Sequence, residues 1–187
     1  MGDQVHRVQA AGGTGLIEAP ARPPGHGHRA GSLQWAGLLA VGTAVVVADQ
    51  LTKRLIEDEV DLFSTHEVAP FVAITHVRNT GIAFGIFPGQ LEIVTLLTAL
   101  AVGWILVHFA RAGSRHAIFP AALGLLVGGS VSNLVDRVRQ GYVTDFIDIG
   151  RWPTFNLADT FIVAGVAMLL VGLSRLDREP PEPAPEP

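Results

Sequence analysis

Four long apolar runs constrain this chain more than anything else in it. They are residues 33–55 (LQWAGLLAVGTAVVVADQLTKRL), 91–110 (LEIVTLLTALAVGWILVHFA), 117–138 (AIFPAALGLLVGGSVSNLVDRV) and 157–174 (LADTFIVAGVAMLLVGLS). Each is close to the ~20 residues a helix needs to cross a hydrocarbon core of about 30 Å. Buried helices of a water-soluble domain are the alternative, but four such runs within 187 residues argue against it. Only 16% of the residues are charged, against about a quarter in a typical soluble domain. The expected fold is a mainly α membrane protein with four transmembrane helices, forming one domain over residues 33–175.

The segments outside the runs differ in kind. Residues 1–32 are rich in Gly, Pro, Ala and Arg without an apolar period, and residues 176–187 end in a Pro/Glu-rich stretch. Both read as disordered, solvated tails, and His26 and His28 there read as spacer rather than metal ligands. The first tail lacks the compact layout of a cleavable signal peptide. Between the first two runs, PFVAITHVRNTGIAFGIF mixes Thr and Val with a turn-like Asn-Thr-Gly. This predicts a small extracytoplasmic segment of β-strands. The connection RAGSRH carries Arg111 and Arg115 without an acid, whereas the first connection holds Glu57, Asp58, Glu59, Asp61 and Glu67. The positive-inside rule then places both termini in the cytoplasm. Gly124 and Gly128, in GLLVG, predict close helix packing.

Several kinds of chemistry are excluded at the outset. There are no cysteines, so no disulfide, thiolate metal site or cysteine nucleophile exists, and a net charge of −4 offers no basic face for nucleic acid. No metal, cofactor or phosphate-cradling motif is present. The polar residues of the apolar runs gather at one end. Asp49, Gln50, Thr52 and Lys53 close the first run, Ser130, Ser132, Asn133, Asp136 and Arg137 close the third, and Asn156, Asp159 and Thr160 open the fourth. With this topology all three clusters converge at the outer leaflet. Spacings of three and four put Asp49 with Lys53, and Asn133 with Asp136 and Arg137, on shared helix faces. Intramembrane ionisable groups of this kind face the bundle interior and pair.

Two readings of these groups compete. One is structural: an ion-pair network, with Asn156 as the N-cap of the fourth helix and Asp159 as the acid of a capping box. The other is catalytic. Two carboxylates held close cannot both ionise, so one keeps a proton while the other can deprotonate water. A non-enzymatic four-helix protein with an acid-lined proton or ion path is the alternative function, but such a path needs polar groups through the full membrane depth.

The stretches DQLTK (49–53), RNTGIAFG (78–85), GGSVSNLVDRVRQGYVTDFI (128–147) and FNLADT (155–160), in this order and spacing, make the chain resemble the lipoprotein signal peptidases (signal peptidase II), bacterial membrane aspartyl peptidases. The resemblance covers residues 35–175. It implies an aspartic endopeptidase of the bacterial cell membrane, acting as a monomer without cofactor or metal. Its implied partners are lipid-modified prolipoproteins and membrane lipids, cleaved just before a diacylglyceryl-modified cysteine at the outer leaflet. It points to Asp145 and Asp159 as the catalytic pair, with Asp136–Asp159 as the rival pairing and Asp148 without a catalytic role. Asp49, Lys53, Asn79, Gly81, Asn133, Asp136, Arg137, Asn156 and Ala158 match supporting or substrate-contacting positions, Asn79 as a contact to the peptide backbone. The strand segment is expected to hold the extended peptide by edge pairing. Ser132 stands where the family commonly has Gly, Ile82 replaces a small residue, and the link from Asp145 to Asp159 is short. These departures put the shape of the substrate groove in question.

Overall fold

A computed structural model describes residues 30–81, 90–112 and 118–176. The expected tails, Ile82 and most of RAGSRH lie outside these residues. The elements run α1 (Ser32–Glu59), β1 (Thr65–Ala69), β2 (Val72–Asn79), α2 (Leu91–Ala112), α3 (Ile118–Gln140), β3 (Val143–Asp148) and α4 (Leu157–Leu176). All four helices are long and apolar enough to cross a membrane. Their outward faces carry Leu39, Leu97, Trp104 and Leu170, all more than half exposed. Such side chains are at home in lipid, where apolar surface carries no penalty.

Helix α3 is the hub, packing along both α1 and α4, while α2 leans mainly on α3. Small residues make this possible. A Cβ on Gly124 would stand 2.9 Å from the Leu38 carbonyl oxygen, and one on Gly128 would stand 2.7 Å from that of Gly42. The expected close packing at GLLVG is therefore the α1–α3 seam. On the other side of α3, a Cβ on Gly129 would come within 2.5 Å of the Ala158 carbonyl oxygen. Ala158 itself is fully buried. Because the clash is with backbone, it is relieved only by moving α4 away from α3. Gly129→Ala should therefore destabilise the bundle by about 1–3 kcal/mol, the usual cost of overpacking, seen as a lowered melting temperature in detergent micelles.

The strands form one antiparallel sheet in the order β1-β2-β3. Two lie between α1 and α2, as expected: β2 falls within PFVAITHVRNTGIAFGIF, and β1 just precedes it. The third, β3, comes from the α3–α4 connection, where the sequence predicts no strand. Residues 143 to 146 are all buried, so β3 shows no clear alternation of apolar and polar residues. It pairs Val77 with Asp145 and Asn79 with Val143. Phe155 then pairs back onto Ile147, which folds the short link upon itself and delivers the chain directly to the start of α4.

Candidate active site

The start of α4 is built as the spacing predicts. The Asn156 side-chain oxygen accepts the Asp159 backbone N–H at 3.0 Å, and Asp159 Oδ2 accepts the Asn156 N–H at 3.2 Å. This reciprocal capping box fixes the Asp159 carboxylate at the first turn. The same Asn156 also reaches the other aspartate, since its Nδ2 donates to Asp145 Oδ1 at 2.7 Å. One fully buried asparagine thus joins the two carboxylates. The short link does not keep them apart, because the Ile147–Phe155 pairing places Asn156 beside β3.

Each carboxylate has one more holder. Asn79 Nδ2 donates to Asp145 Oδ2 at 2.9 Å, and Asn133 Nδ2 donates to Asp159 Oδ1 at 2.9 Å. Asn79 was expected to touch the substrate backbone. Here its amide holds Asp145, while its oxygen accepts the Gly81 N–H at 2.9 Å, the local turn that Asn favours. Burial of Asp145, at 3% exposure, raises its carboxyl from 3.8 to about 7, and the nearby Asp159 charge pushes the same way. The hydrogen bonds from Asn79 and Asn156 and the charge of Lys53 oppose that shift.

Behind the pair lies a buried ionic cluster. Lys53 Nζ sits 2.6 Å from both Asp49 Oδ2 and Asp136 Oδ2 and donates to Asn133 Oδ1 at 2.8 Å. Its three protons meet three acceptors. Since Lys53 occupies the Asn133 oxygen, the Asn133 amide nitrogen is turned toward Asp159. Asp49 Oδ1 accepts the Ala158 N–H at 2.8 Å, so α1 caps the first turn of α4 from across the bundle. The two structural expectations, ion pairing of Asp49 with Lys53 and capping by Asn156, therefore both hold, as supports for the pair rather than as rivals to it.

The remaining acids separate. Asp136, the rival partner, has both oxygens engaged, by Lys53 at 2.6 Å and by Gln50 Nε2 at 2.6 Å. It lines a different, smaller cavity of about 230 Å³. Its ion-pair partner is Lys53, not the adjacent Arg137. Arg137 instead donates to the Gly81 carbonyl at 3.3 Å, with a buried Nε that has no partner among the described residues. Asp148 Oδ1 accepts the Gly150 N–H at 2.7 Å in a local turn.

Asp145, Asp159, Asn79, Asn133, Arg137 and Asn156 line one cavity of about 570 Å³. Its wall is completed by Val94 and Thr98 of α2, Ile162 and Val163 of α4, and the loop residues Trp152 and Pro153. Ser132 is not among them. Its hydroxyl donates to Asp49 Oδ2 at 2.7 Å and accepts from Gln50 at 3.1 Å, so the departure from Gly alters the ionic cluster and leaves the groove alone. Edge pairing beside Asp145 is restricted, since β2 covers one side of β3 and the Phe155 backbone the other at Phe146 and Ile147. Sequence reasoning placed Gln50 and Ser132 in the converging clusters without a specific partner, and missed Glu57 and Thr144 as supports. Thr144, fully buried next to Asp145, donates to Glu57 in the last turn of α1.

Comparison with known proteins agrees with this architecture. A family model described as signal peptidase (SPase) II matches residues 41–175. The lipoprotein signal peptidase of Symbiobacterium thermophilum is 36% identical over 147 residues, 75% of this chain and 96% of that protein. That of Geobacter sulfurreducens is 39% identical over 74% and 92% of the two chains. A solved bacterial membrane enzyme is 28% identical with a TM-score of 0.75, covering 84% of this chain and 99% of its own. Another is 30% identical with a TM-score of 0.69 over 78% and 96%. With four membrane-spanning helices and relatives matched over most of both lengths, this multi-pass bacterial membrane protein belongs to the signal peptidase II family of peptidases.

Proposed function

We propose that the protein is an aspartic endopeptidase that removes signal peptides from prolipoproteins, hydrolysing the bond before a diacylglyceryl-modified cysteine. The observation that carries this reading is the Asn156 bridge, which holds Asp145 and Asp159 together at the edge of a cavity. Between them the two carboxyls hold one proton, and the pair titrates as a unit. The charged member deprotonates a water, and the protonated member polarises the scissile carbonyl. The apolar wall from α2 and α4 suits acyl chains and an apolar signal helix arriving from the bilayer. Both termini are then cytoplasmic and the pair lies at the outer leaflet.

An ion path has nothing to support it. The buried polar side chains of the helices (Asp49, Lys53, Ser132, Asn133, Asp136) lie at one end of the bundle, and none continues through the other half among the described residues.

Purified protein should cleave a diacylglyceryl-modified prolipoprotein and leave the same chain with an unmodified cysteine intact. Failure on the modified substrate would overturn the function. The rate should also fall as pH rises through about 7, the value to which Asp145 is raised, because the pair then loses the proton it shares. A pH–rate profile flat to pH 9 would contradict the shared-proton mechanism.

A further inference from the structure

Two residues other than glycine have positive φ among the described residues, and both are phenylalanines: Phe63 at 66° and Phe71 at 67°. A bulky side chain in this region marks strain that the fold must hold in place. Phe71 is also 89% exposed. It occupies the second position of the two-residue turn Pro70-Phe71, between the paired residues Ala69 and Val72. Proline first and positive φ second is the pattern in which glycine is favoured. The hairpin thus carries a large aromatic where the backbone disfavours one, and the folded chain gives it nothing to bury against.

We propose that this hairpin tip dips into the lipid leaflet at the catalytic end of the bundle. Its occupant follows from where the sheet is tied. Helix α1 has 28 residues, or about 42 Å at ~1.5 Å per residue, more than the ~30 Å hydrocarbon core, and the exposed Asp58 and Glu59 at its last turn place the excess at that end. The middle of β2 hangs there, since His76 Nδ1 bonds the Val60 carbonyl at 2.8 Å and the Phe63 N–H donates to the His76 carbonyl at 2.8 Å. Helix α4 has only 20 residues, so it starts at the hydrocarbon boundary. Phe155, two residues earlier, holds Ile147 at that level, and Ile147 pairs with Ile74. Phe71 lies three residues from Ile74, roughly 10 Å along the strand. Asn79, at the other end of β2, is held at the same level through Asp145 and Asn156, so the strand runs along the hydrocarbon boundary and carries its tip out beside the bundle at the level of the leaflet.

Composition of the tip fits lipid rather than water. Residues 68–72, Val-Ala-Pro-Phe-Val, carry no charge, and Val68 is 61% exposed. The tip shares a groove with Asp148 and Gly150. The loop beyond them brings Trp152, itself 53% exposed, to the wall of the catalytic cavity. The tip is thus an interfacial anchor beside the mouth through which substrate arrives, setting the tilt of β3 and with it Asp145 against the membrane plane.

The chain has no cysteine, so single-cysteine variants take one nitroxide label each without background. In the full chain reconstituted in phosphatidylglycerol–phosphatidylethanolamine vesicles, a label at Phe71→Cys should collide with dissolved oxygen more, and with a water-soluble nickel chelate several-fold less, than a label at Phe63→Cys. Val68→Cys reports on the same tip from an ordinary strand position, should Phe71→Cys fail to fold. Equal nickel access at the tip and at position 63 would overturn the proposal. So would a tip label sheltered only after a lipid-modified prolipoprotein is added, which would make the tip a substrate contact.

Discussion

Asp145→Asn and Asp159→Asn should each lower cleavage of a lipid-modified prolipoprotein by roughly a thousandfold, within the range lost when acid–base catalysis is removed, while the protein stays inserted and folded. Asparagine keeps the shape of the carboxyl but neither takes nor gives the proton. Asp148→Asn should leave cleavage unchanged, because its carboxylate serves a local turn with Gly150 and does not line the catalytic cavity. Stability should respond differently from activity. Folded Asp145 keeps its proton to about pH 7, whereas the unfolded chain releases it near 3.8. The folded state therefore binds more protons across that window, and stability declines as pH rises through it, levelling off above about 7. Asp145→Asn removes this slope, so its melting temperature should vary less between pH 4 and pH 7 than that of the wild type. Near-normal processing by either variant would remove that residue from the pair.

The parts of this molecule that were legible in the sequence are those that the membrane itself dictates. Lipid requires each span to satisfy its own backbone over a fixed length, so the four helices could be read from apolar run length alone. The convergence of polar residues at one end followed from topology, and the Asn156–Asp159 capping box from a spacing of three. What stayed hidden depends on contacts between elements. Strand β3 is buried on both faces and leaves no periodic trace. Asp136 and Asp145 are equally acidic in the sequence. Only the arrival of Lys53 and Gln50 at one, and of Asn156 and Asn79 at the other, separates them. Ser132 looked like a change in the groove, yet its hydroxyl turns toward Asp49, a direction no local pattern encodes.

Lys53→Met should cost more stability than any other single change in the ionic cluster. Methionine fills much of the same space, so the loss is mainly electrostatic. Lys53 is 3% exposed and stands 2.6 Å from each of two carboxylates that are themselves buried. Without it, Asp49 and Asp136 face each other across the α1–α3 seam with only neutral donors: Ser132 and the Ala158 N–H for Asp49, Gln50 for Asp136. Removing one partner of a buried pair typically costs about 3–5 kcal/mol, because the charge left behind is uncompensated. Thermal melting in detergent should show the drop, and Lys53→Met with Asp136→Asn should recover part of it by removing one stranded charge. Cleavage should not recover with it. Lys53 is also the shorter of the two donors to the Asn133 oxygen, and without it only Asn156 Nδ2 at 3.2 Å keeps the Asn133 amide turned with its nitrogen toward Asp159. Stability that returns without activity would show that Lys53 both holds the two helices and orients the donor to Asp159. A single variant that melts like the wild type would mean that packing of the glycine seams, rather than the ionic cluster, keeps α1 on α3.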